Sequence, residues 1–214
     1  MKTLQFAFIG ITLLSLVLFF LGTGKDKKVL IFFSLWAVFI AVLSYSGFFL
    51  NTETLPPRML LVIVPAIFYT IYFYKKIEIA KVKRNVLVAI HIVRLPVEIT
   101  LYQLFLHGKV PVIMTYEGWN FDIVIGLSAI MLVFYLAFVK RNINKRLLRI
   151  WNILGIGFLT VIVMIAILSL PSPIQQLAHE QPNVAILEFP FTLLPAVVVP
   201  IVLLSHLLIL KENR

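Results

Sequence analysis

The chain has no cysteine, which excludes disulfides, iron–sulfur clusters and thiolate metal sites. It is also poor in charge: Lys, Arg, Asp and Glu make up 13% of 214 residues, about half the share of a soluble domain. No polar stretch between its apolar runs is long enough to fold as a soluble domain. No Gly-rich phosphate loop, Gly-x-Ser-x-Gly elbow or His-Glu-x-x-His helix is present, so the common nucleotide, hydrolase and zinc-protease signatures are absent. Residues 189–210 contain no lysine, which excludes a retinal Schiff base in the last apolar run. The formal net charge of +10 does not point to nucleic acid either, because the basic residues form short clusters between apolar runs rather than a stripe.

What the chain has in quantity is apolar surface, with 61% hydrophobic residues and a mean hydropathy of +1.04. Runs able to cross ~30 Å of hydrocarbon, which takes about 20 helical residues, occur near 4–22, 29–50, 58–74, 85–107, 122–139, 149–170 and 187–210. The expected fold is therefore an all-α integral membrane protein, a seven-transmembrane-helix bundle forming one domain over residues 1–214, with the lipid bilayer as its surroundings. The segments after runs one, three and five, plus the C-terminus, carry Lys25, Lys27, Lys28, Lys75, Lys76, Lys81, Lys83, Arg84, Lys140, Arg141, Lys145, Arg146, Arg149, Lys211 and Arg214. The opposite side carries Lys2, Arg58 and Lys109. This asymmetry predicts the N-terminus outside and the C-terminus in the cytoplasm. The first run is longer than a 7–15-residue signal-peptide core and its charges follow it, so it reads as a retained span. A multi-pass protein of the cell membrane with such compact loops fits a bacterial inner membrane.

The fourth run carries the unusual chemistry. His91, Arg94, Glu98 and Tyr102 share one helical face, and a charge in mid-membrane costs about 2.5–3.5 kcal/mol even on lenient scales. Arg94 and Glu98 are four residues apart, close enough to pair. They read as the binding or gating pair for a small solute, ion or proton, with His91 and Tyr102 as auxiliary polar groups. Pro96, and Pro195 and Pro200 in the last run, each remove a backbone donor and free a carbonyl four residues earlier. Such broken helices bound ligand sites in transporters, and the Pro195–Pro200 stretch is the candidate moving element. The leading functional expectation is passage or exchange of a small solute, ion or proton through this polar interior. The same pair would serve a structural or assembly subunit by pinning helices together.

Two other chemistries are open to these residues. His91 and His206 lie at comparable depth in runs four and seven and could ligate a haem axially. On the outer side, His107, Glu117, Asp122, His179, Glu180 and Glu188 could hold a divalent metal, making a membrane-embedded enzyme for a lipid-like substrate. Asp122 and Glu188 also sit where a helix N-terminus favours an acid. No other cofactor is implied. Tyr116, Trp119 and Phe121 at the outer boundary and Trp151 at the inner one read as interfacial anchors.

Overall fold

The computed structural model describes residues 1–138 and 143–213, and all its regular elements are helical. They comprise α1 (Lys2–Gly22), α2 (Lys27–Tyr45), α3 (Leu60–Lys76), α4 (Arg84–Ile90), α5 (Arg94–Leu106), α6 (Asp122–Phe138), α7 (Lys145–Leu168) and α8 (Val199–Glu212). A single 3-10 turn, His91–Val93, joins α4 to α5 in one rod, and a π-helical turn, Leu194–Val198, leads into α8. Seven rods result, matching the seven apolar runs. Five of them are long and apolar enough to cross a membrane, and α6 is a shorter apolar helix. Lys140, Arg141 and Arg214 of the expected basic side lie outside the described residues.

Local chemistry sets the ends. The Asp26 carboxylate accepts from Lys28 N at the start of α2, and Asn144 Oδ1 accepts from Arg146 N and Leu147 N at the start of α7, so each cap satisfies otherwise orphaned donors. Two rods are shorter than their runs. Gly47, at φ 76°, closes α2, and residues 48–50 continue as a 3-10 turn. The last rod begins at Leu194 rather than 187, because Pro190 and Pro195 lack the amide hydrogens a helix through 187–193 would need.

The α4–α5 rod and the last rod are the interior of the bundle. Their apolar windows are 56% and 61% buried, against 28% for α1, α2 and α7. The outer helices turn large apolar side chains outward, among them Phe6, Leu35, Phe68, Met131 and Leu154, a surface suited to lipid rather than water. Hydroxyls within the helices bond back one turn, as Ser15 does to Ile11 O and Thr100 to Pro96 O, which removes their need for water.

The basic connections gather at one end. Lys83 N donates to Gly22 O, Arg84 pairs with Glu212 at 2.7 Å, and Asn213 Nδ2 donates to Lys145 O. At the other end Lys109 pairs with Glu188 at 2.6 Å, Arg58 donates to Phe48 O, and Gln181 bridges Phe105 O and Val110 O.

The carbonyls freed by Pro195 and Pro200 find partners. Pro200 cannot donate to Ala196 O, and the Tyr69 hydroxyl of α3 donates to it instead. Phe191 O, freed by Pro195, accepts from Leu194 N at 3.0 Å. Pro96 leaves Ile92 O without its α-helical donor, and the backbone there tightens into the His91–Val93 turn. Tyr69→Phe is thus expected to strand a buried carbonyl and lower stability by about 1–3 kcal/mol, measurable by thermal or denaturant unfolding of the detergent-purified protein.

Candidate functional site

Arg94 opens α5 just after the 3-10 turn and is 3% exposed. Its guanidinium crosses to three other helices. Nη1 donates to Asp122 Oδ1 of α6 at 2.8 Å, and Nη2 donates to Gly155 O of α7 at 3.3 Å and to His206 Nε2 of α8 at 3.1 Å. An arginine has no acceptor, so His206 Nε2 must accept. That places the imidazole proton on Nδ1, which donates to Asn152 Oδ1 at 2.7 Å, while Asn152 Nδ2 donates to Leu148 O at 2.7 Å. The His91 ring stacks on His206, with centroids 3.8 Å apart and planes at 23°. Trp151 meets both rings edge-on and donates from Nε1 to Ser128 Oγ at 2.8 Å. Gly155 is required by this packing: a Cβ there would collide with the His206 imidazole.

Glu98, one turn further along α5, is 1% exposed. Its two carboxylate oxygens each lie 2.7 Å from Asn120 Nδ2, which also donates to Met114 O at 3.0 Å. Asn120 Oδ1 accepts from Asp122 N at 3.1 Å, so one side chain both caps α6 and holds Glu98. The expected Arg94–Glu98 pair does not form. Arg94 reaches sideways to Asp122, because α6 packs on α5 and brings its first-turn carboxylate to the depth of the guanidinium.

Beside this cluster lies a cavity of about 490 Å³, within the size range of small-molecule sites. It runs between α3 and α7, both of which pack on α8. Side chains such as Ile63, Ala66, Leu159, Val163 and Leu203 form apolar walls, Pro195 and Pro200 border it, and Glu98, Asn120 and Asp122 supply its principal polar patch.

The remaining candidate residues lie elsewhere. Tyr102 is half-buried against Tyr116, with ring centroids 4.8 Å apart, and does not join the Arg94 cluster. His107 is exposed and its Nδ1 contacts Gln103 O. Glu117, His179 and Glu180 are exposed, Glu188 is held by Lys109, and Asp122 belongs to Arg94. Among the described residues no three His, Asp or Glu side chains converge as metal ligands. The haem arrangement does not fit, because the two imidazoles lie face to face and both nitrogens of His206 are engaged within the protein. Trp151 packs on the histidines rather than acting as a free interfacial anchor, while Tyr116, Trp119 and Phe121 are exposed. Asn152 and Gly155 carried no signal in the sequence beyond being a polar residue and a glycine in an apolar run. Their importance depends on His206 packing between them.

These features define an all-helical protein with several helices able to span a membrane, built around a buried ionic and imidazole cluster. The chain belongs to the family described as Domain of unknown function (DUF8737), whose model matches residues 54–212. The match takes in α3 to α8, and with them every residue of the cluster and cavity described above. No curated protein and no solved structure matches the chain.

Asp122→Ala is expected to lower stability by about 3–5 kcal/mol, since it leaves Arg94 buried without a counter-charge, and Arg94→Met added to it should recover most of that loss. Unfolding curves of the two variants and the wild type measure both effects. Gly155→Ala should force the His206 ring from its place and lower stability by about 1–3 kcal/mol, measured in the same unfolding curves.

Proposed function

We propose that this chain is a multi-pass membrane protein that passes or exchanges a small solute through the bundle interior, with Glu98 as the group the solute meets. One observation carries the reading: an open apolar cavity of about 490 Å³ ends on a buried carboxylate, Glu98, that no basic side chain neutralises among the described residues. A charge buried only for packing would be expected to meet an opposite charge, as Arg94 meets Asp122. The two charges of the fourth rod thus have separate tasks. Arg94, locked to Asp122, Gly155 O and His206, fixes the helices, and Glu98 faces the space.

The cavity borders Pro195, within the π-turn Leu194–Val198, and Pro200 at the start of α8. A stretch that lacks two amide donors is easier to repack than a regular helix, which makes this stretch the wall that moves. The distribution of basic residues supports an N-outside, C-cytoplasmic orientation. The cavity's flank between α3 and α7 would then open toward lipid, so the solute enters sideways from the bilayer. The Arg94 cluster, tied to three other helices, also fits a subunit whose charges serve assembly, but that role does not account for the space beside Glu98.

Proteoliposomes carrying an internal pH dye and exposed to a panel of labelled small solutes should show protein-dependent flux that Glu98→Gln reduces at least about tenfold, a change of ~1.4 kcal/mol. Flux absent from the wild type, or equal in a folded Glu98→Gln variant, overturns the reading.

A further inference from the structure

The chemistry of the cavity narrows what can occupy it. From the charges around it we infer that its ligand is a lipophilic amine, an ammonium head on an apolar chain, with the head at Glu98 and the chain along α3, α7 and α8. This rests on the reading of the cavity as a solute site.

The argument is one of charge and hydrogen bonding. Arg94 is offset by Asp122 at 2.8 Å. His206 is neutral in this network, since Nε2 accepts from Arg94 and Nδ1 holds the ring's proton for Asn152. His91 has no hydrogen-bond partner at either ring nitrogen, so nothing there holds a second proton. That leaves the Glu98 carboxylate, whose two oxygens share one amide from Asn120 and have no cation within ion-pair distance among the described residues. The cavity lining contains Glu98 and Asp122 and neither lysine nor arginine.

An anionic headgroup is repelled by this lining. A neutral alcohol would fill the space but could offer Glu98 no charge-assisted bond. A calcium or magnesium ion needs about six or more oxygen ligands, and Glu98, Asn120 and Asp122 stand in an otherwise apolar enclosure where no three His, Asp or Glu side chains converge among the described residues. An alkylammonium satisfies both parts: its N–H groups donate to carboxylate oxygens in charge-assisted bonds, and its hydrocarbon replaces the contacts the empty walls lack.

The test uses the full-length protein in lipid nanodiscs and three C8 probes, octylammonium, octanol and octanoate, titrated calorimetrically with partitioning into empty nanodiscs subtracted. Octylammonium should bind saturably and octanoate should not. Glu98→Gln should weaken octylammonium at least about tenfold while leaving octanol unchanged. Ala66→Trp, which fills the cavity from α3, should abolish binding of both and serves as the control for a Glu98 variant that folds poorly. Octanol and octylammonium binding alike, insensitive to Glu98→Gln yet lost in Ala66→Trp, would overturn the amine assignment and leave the cavity reading intact. So would preferential binding of octanoate. No saturable binding of any probe would overturn the cavity reading and the amine with it.

Discussion

The contact on which the rest of the bundle depends is the one between Arg94 and Asp122. An arginine in the middle of an apolar rod is tolerable only if a carboxylate meets it and its terminal nitrogens reach acceptors. Meeting both conditions brings four helices to fixed positions: α5 supplies the guanidinium, α6 the carboxylate, α7 a backbone carbonyl and α8 an imidazole. Apolar packing in lipid provides little preference for one helix arrangement over another, because the alternative to helix contact is equally apolar. The directional bonds of Arg94 provide it.

Backbone chemistry follows the same rule. In α8 and the turn before it, prolines remove donors, and a hydroxyl from α3 takes over the orphan carbonyl of Ala196. One tyrosine hydrogen bond thereby replaces the donor that Pro200 removes. Helix α3 consequently has two relations to α8: it is tied to it through Tyr69, and it stands away from α7 far enough to leave the cavity.

Much of the architecture could be read from the chain because it is written in residue type and run length alone. Seven apolar runs of membrane length mark seven rods, and Arg94 and Glu98 stand out as charges with no soluble surroundings. Partners could not be read in the same way. Asp122 lies 28 residues from Arg94, and at the start of α6 it also satisfies a purely local role at a helix N-terminus, which hides the long-range one. The i,i+4 spacing of Arg94 and Glu98 suggests a pair, but a side chain as long as arginine can reach a neighbouring helix, and here it does. Asn152 and Gly155 gain their meaning only when α8 places His206 against them. The outer acids and histidines drew together in a linear reading because loops have no stated geometry. In space Asp122 goes inward, Glu188 goes to Lys109, and the others stay at the surface.

Asn120 joins two things usually kept apart. Its oxygen begins α6 and its nitrogen restrains Glu98, so a movement of the carboxylate pulls on the same amide that keeps the first turn of a neighbouring helix wound. That turn also carries Asp122, the counter-charge of Arg94. Displacement at the cavity would therefore be felt as loosening at the ion pair, by way of a single planar group. The amide thus joins the carboxylate at the cavity to the turn that carries the counter-charge of Arg94.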